Sequence, residues 1–73
     1  MLDYRKYISF DKDVRGGKPC IRGMRITVYD ILDYLASGME YDEILREFPY
    51  LTKEDILASL AFAADQNKSI LVA

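Results

Sequence analysis

Seventy-three residues, 51% of them hydrophobic and carrying a net charge of −2, describe one domain. A fold of this size hides only about 60% of the surface that its unfolded chain exposes, so a homodimer that covers surplus apolar surface is expected. Histidine is absent and Cys20 is the only cysteine, which excludes a catalytic triad, a structural zinc site and an internal disulfide; a reducing cytoplasm is the expected compartment.

The chain begins without a signal-like apolar segment, and no apolar run approaches the roughly 20 residues of a membrane span. Tyr7-Ile8-Ser9-Phe10 reads as a short strand. Asp11-Lys12-Asp13 and Arg15-Gly16-Gly17 are turn material. Pro19-Cys20-Ile21-Arg22 and Arg25-Ile26-Thr27 read as two extended pieces around a turn at Gly23, with Pro19 confined to a strand start or edge. Thr27-Val28-Tyr29-Asp30 has capping-box spacing and predicts a helix start. Val28, Ile31, Leu32 and Leu35 form its apolar stripe, and Gly38 supplies a left-handed stop.

A second helix is predicted from Tyr41 to Phe48, burying Ile44, Leu45 and Phe48, with Pro49 closing it. Thr52-Lys53-Glu54-Asp55 starts a third, which turns Ile56, Leu57, Leu60, Ala61 and Ala64 inward and ends near Gln66-Asn67. Ser69-Ile70-Leu71-Val72-Ala73 is an apolar tail that reads as a strand for this chain or another. The expected architecture is a single, mainly α domain over 1–73. A basic β and loop segment spans 1–27, three helices span 28–66, and the tail spans 67–73. The short turn between the second and third helices has helix-turn-helix spacing, as in homeodomain-like folds.

Charge is unevenly spread. Residues 1–27 hold Arg5, Lys6, Lys12, Arg15, Lys18, Arg22 and Arg25 against Asp3, Asp11 and Asp13, whereas the remainder is strongly acidic. A basic front suggests an anionic partner; attraction between the two halves of the chain is the competing explanation. Lys18 after two glycines is no phosphate loop, because Pro19 and an extended segment follow where a helix must open. Arg22 and Arg25 flank a glycine bend as an anion clamp, with Arg15 and Lys18 beside them. The alternative is an ion pair with Asp30, Asp33 or an acid of the second helix, leaving one arginine structural and the other available. No metal site is expected, because Asp30, Asp42, Glu43, Glu54 and Asp55 sit in first helical turns, where carboxylates complement the helix dipole. The third helix is a poor base reader: beyond Lys53 and Ser59 it leads with acids that repel phosphates.

Ile8-x-x-Asp11, Gly17-Lys18-Pro19-x-Ile21-Arg22-Gly23-x-Arg25-Ile26-x-Val28, Ile31-Leu32-x-x-Leu35-Ala36-x-Gly38, Glu43-Ile44-Leu45 and Pro49-x-Leu51-Thr52-x-Glu54-Asp55-Ile56 together resemble the DUF433 family. The resemblance covers about residues 8 to 64. Met24 stands where that family usually has Thr, and Glu40 where Ser or Thr usually caps the second helix; the latter change weakens a cap by about 1 kcal/mol. The resemblance implies a three-helix, helix-turn-helix domain similar to VapB-type antitoxins, paired with a PIN-like ribonuclease toxin. On that reading the protein is no enzyme and needs no cofactor. Arg22 or Arg25 would plug the nuclease's acidic pocket, and Ile70, Leu71 and Val72 would contact the toxin or a second copy. The alternative is a stand-alone dimeric DNA-binding regulator; repression of its own operon through operator DNA is compatible with both.

Overall fold

Pro19 and Gly23 bracket one of two short strands, two helices open where a Thr-x-x-Asp start meets an apolar stripe, and a third opens on Glu40-x-x-Glu43. The computed structural model describes the backbone of residues 2–72 and the side chains of residues 2–66. Strand β1 (Ile8–Ser9) pairs antiparallel with β2 (Cys20–Ile21), setting Ile8 against Ile21 and Ser9 against Cys20. Of the second extended piece only a bridge remains, between Cys20 and Thr27. Helices α1 (Val28–Ala36), α2 (Tyr41–Glu47) and α3 (Lys53–Val72) follow. The architecture is therefore mainly α with a short N-terminal β element, as expected.

The local stop and start signals act as predicted. The Gly38 amide donates to the Leu35 carbonyl at 3.0 Å and the Met39 amide to that of Tyr34 at 3.1 Å. This is the paired closure that a left-handed glycine (φ 97°) permits at a helix end. At α2 the Glu40 amide donates to Glu43 Oε1 at 3.0 Å, so Glu43 supplies the cap interaction there. Phe48 falls just outside α2 as its C-cap, ahead of Pro49.

Helix α3 departs from the prediction at its far end. It continues to Val72, so the backbone of 69–72 is helical rather than a strand. No glycine or proline interrupts the run after Lys53, and nothing else in the sequence stops a helix there.

Ile21, Val28, Ile31, Ile44 and Ile56 are fully buried and form the centre, joined by Ile8, Ile26, Leu51 and Phe62. A 3-10 turn at Tyr4–Lys6 packs the N-terminus onto α3. There the Tyr4 ring stands edge-on to Phe62 at 5.6 Å and its hydroxyl donates to Asp65 at 2.5 Å. The prediction that Leu57 and Leu60 face inward is overturned: both are more than one-third exposed. Ile56 and Ala61 are buried as expected, and Asp55, Ala58, Ser59 and Phe62 complete the inward side of α3. Among the described residues no helix is long and apolar enough to cross a membrane.

Candidate binding site at the basic bend

Two of the clamp's arginines grip carboxylates of their own chain. Thr27 caps α1 by accepting from the Asp30 amide at 3.0 Å, and Asp30 Oδ2 accepts from the Thr27 amide at 2.9 Å. Arg15 Nη1 donates to that same Oδ2 at 3.1 Å and to the Arg25 carbonyl at 2.8 Å. The pattern repeats at α3. Thr52 Oγ1 accepts from the Asp55 amide at 3.2 Å, and Asp55 Oδ2 accepts from the Thr52 amide at 2.9 Å. Arg22 then forks onto Asp55, Nε to Oδ1 at 3.0 Å and Nη2 to Oδ2 at 2.8 Å, and Nη2 also reaches the Tyr50 carbonyl at 3.0 Å.

Each capping box is thus closed by an arginine of the N-terminal segment. Both arginines adopt left-handed backbone, φ 51° at Arg15 and φ 44° at Arg22. Strain of this kind persists where surrounding contacts over-determine it. Burial raises the Asp55 pKa, but the bonds from Arg22 and Thr52 outweigh it and hold the carboxyl below its ordinary value. Asp30 follows the same balance, with Thr27 and Arg15 supplying the bonds.

Arg22 is therefore not available as an anion ligand, and its partner is an acid of α3 rather than one of those anticipated. Arg15 is likewise engaged, with Asp30. Arg25 and Lys18 remain: both are exposed, and neither side chain makes a hydrogen bond or ion pair among the described residues. Arg25 lines an open cleft of about 530 Å³ together with Met24, Tyr34, Phe48 and Tyr50. The Tyr34 and Phe48 rings stack at 5.1 Å, and Tyr50 meets Phe48 edge-on at 6.1 Å with half its surface exposed. Burial pushes the Tyr34 phenol up, so it stays neutral. A cleft edged by an exposed guanidinium and by aromatic rings, its Asp30 carboxylate already held by Arg15, suits a carboxylate or phosphate carried on an apolar body.

The remaining predicted positions are scattered. Lys53 is exposed at the start of α3. Ser59 is fully buried and donates its hydroxyl to the Asp55 carbonyl at 3.0 Å, so it has no access to a DNA base. The side chains of Ile70, Leu71 and Val72 lie outside the described residues. The aromatic floor went unrecognised in the sequence, although Tyr34, Phe48 and Tyr50 were available to suggest it. Among the described residues no three His, Cys, Asp or Glu side chains converge as a metal site.

A small three-helix domain with a β-hairpin front, stapled by two arginine-closed capping boxes, defines a compact scaffold that presents Arg25. The chain belongs to the family described as "Protein of unknown function (DUF433)", matched over residues 8–63. It is similar to "Uncharacterized protein y4eO" of Sinorhizobium fredii (strain NBRC 101917 / NGR234), 37% identical over 57 residues. That match covers 77% of this chain but spans only 26% of the relative's length. It is also similar to the crystal structure of a DUF433 member protein from Anabaena variabilis ATCC 29413. There the TM-score is 0.78 at 32% identity, covering 86% of this chain and 62% of the other.

Proposed function

We propose that this chain is a non-enzymatic, cytoplasmic, antitoxin-like protein that binds and neutralises a PIN-like ribonuclease, with Arg25 entering the nuclease's acidic metal-binding pocket. The observation that carries the reading is the contrast within one bend: Arg15 and Arg22 are held by Asp30 and Asp55, whereas the Arg25 side chain makes no hydrogen bond or ion pair among the described residues. A guanidinium facing a cluster of carboxylates makes short, charge-assisted bonds and substitutes for the cation that the nuclease needs. The Arg15 and Arg22 staples fix the loop in advance, which lowers the ordering cost of docking. Lys18 adds attraction at longer range.

A DNA-reading role for α3 has less support. Its outward residues run Lys53, Glu54, Leu57 and Leu60, an acidic and apolar surface rather than one that matches base edges. Repression of its own operon, on this reading, draws on Lys18 and Arg25 and so competes with toxin binding.

Co-expression with a PIN-like ribonuclease tests the reading. Wild type should carry the nuclease through affinity purification, and Arg25→Glu should not. Equal recovery of nuclease with both proteins would remove Arg25 from the interface.

A further inference from the structure

We infer that the cleft beside Arg25 is a preformed receptacle for an aromatic side chain carried next to a carboxylate on a partner protein. On the reading above, on which this inference rests, the nuclease supplies that segment beside its acidic pocket. Two staples hold the walls of the cleft. Arg15 Nη1 donates to the Arg25 carbonyl at 2.8 Å, and Arg22 Nη2 donates to the Tyr50 carbonyl at 3.0 Å. The first fixes the backbone that carries the exposed guanidinium, and the second fixes the backbone that carries the half-exposed ring. Both arginines do so from left-handed backbone, a strained state that collects at ligand clamps. The cleft therefore stands open before anything docks, which spares the cost of ordering it.

Its lining specifies the occupant. Met24, Tyr34, Phe48 and Tyr50 give it an apolar surface, and its volume of about 530 Å³ is that of a small-ligand site. An aromatic guest can meet these rings edge-on or offset, and Met24 adapts to its outline. The polar groups are donors. Arg25 offers its guanidinium, and the Tyr34 and Tyr50 hydroxyls make no hydrogen bond among the described residues. Burial, Asp30 and the Tyr50 phenol all raise the Tyr34 phenol, which puts the two hydroxyls within electrostatic reach of each other. Asp30 also lines the cleft, but Arg15 already holds its carboxylate at 3.1 Å. Donors without a competing carboxylate suit an anion on the guest.

The charge count favours a carboxylate over a phosphate. Phosphate readers gather several arginines, and a nucleic-acid backbone calls for a cation at each phosphate. Here Arg15 is already spent on Asp30, and Arg25 stands as the exposed guanidinium of the cleft. The Tyr34–Phe48 pair also borders a second cleft, lined by Glu43 and Glu47 as well as Arg46. A run of phosphates crossing that pair would meet those acids. A protein segment can place a single carboxylate at Arg25 and its ring among the tyrosines.

A nuclear magnetic resonance titration of the full chain with a capped Glu-Trp-Glu peptide tests the receptacle. Amide shifts at Arg25, Tyr34 and Tyr50 should saturate with a dissociation constant of about 1 mM. Capped Glu-Ala-Glu and Lys-Trp-Lys should each bind about tenfold more weakly or worse. Tyr50→Ala and Arg25→Glu should weaken Glu-Trp-Glu by a similar factor; Tyr50→Ala keeps the Arg22 bond, because the acceptor is the backbone carbonyl. The inference is overturned if no saturable shift appears at these residues by about 10 mM peptide. It is also overturned if either control peptide binds as tightly, if Tyr50→Ala binds like wild type, or if an oligouridylate binds the cleft more tightly than the peptide. The nuclease is absent from this titration. Peptide binding without nuclease recovery would keep the receptacle and remove the nuclease reading, and nuclease recovery without peptide binding would do the reverse.

Discussion

Arg22 and Asp55, 33 residues apart, meet through two parallel hydrogen bonds with the carboxylate fully buried and the guanidinium part-exposed. This one pair ties the glycine bend to the first turn of α3. Its loss strands a buried charge, whereas the Arg15–Asp30 pair is partly solvated on both sides. Arg22→Ala should therefore destabilise by about 3 kcal/mol, the cost of breaking a buried pair on one side. Arg15→Ala should cost only about 0.5 kcal/mol, as surface pairs do. Urea midpoints of the two variants against wild type check the ordering.

Acid should act through the same pair. The folded-state pKa of Asp55 lies below its unfolded value, as does that of Asp30. The unfolded chain then binds the extra protons, so the stabilisation is present above the unfolded carboxyl value of about 3.9 and is lost as pH falls through the lower folded values. The melting temperature of wild type should be level near neutrality and drop below about pH 4. In Arg22→Ala that drop should be shallower, since the Arg22 bonds that help to lower the Asp55 pKa are gone while those of Thr52 remain. Melting curves across this range read it directly.

The two threonine caps are matched in geometry and should be matched in effect. Thr27→Ala and Thr52→Ala should each cost about 1 kcal/mol. For a domain of this length, that is a fall of about 4–8 °C in melting temperature. The carboxylates of Asp30 and Asp55 keep their arginines in both variants, so the helices should survive with wild-type circular dichroism.

Arg25 should be silent in stability. Its side chain bonds to nothing among the described residues, so Arg25→Glu should melt within about 0.5 kcal/mol of wild type, the usual range for a surface change. A marked loss of stability in thermal unfolding would assign Arg25 a structural duty instead.

What the sequence made legible is what is decided locally. Thr27 with Asp30, Thr52 with Asp55, Gly38 and Pro49 each act within a turn of themselves, and each marks the helix end it signals. The partners of the arginines were hidden, because the choice of Asp55 depends on how α3 packs rather than on spacing. The same pair explains the misplacement of Leu57 and Leu60. Apolar periodicity defines a stripe on a helix but not which stripe wins the inside. Asp55 must face Arg22, and that rotation carries Ser59 and Phe62 inward and the two leucines out. The tail failed for another reason: a short apolar run suits helix and strand alike.

The most direct test of the account is titration of a PIN-like ribonuclease with wild type and with Arg25→Glu, both shown to be equally stable, while RNA cleavage is followed. Wild type should suppress cleavage stoichiometrically, and Arg25→Glu should require about 100-fold more protein, as for a charge pair at the centre of an interface. Equal inhibition by the two proteins would contradict the claim that Arg25, whose side chain bonds to nothing among the described residues, is the residue that does the binding.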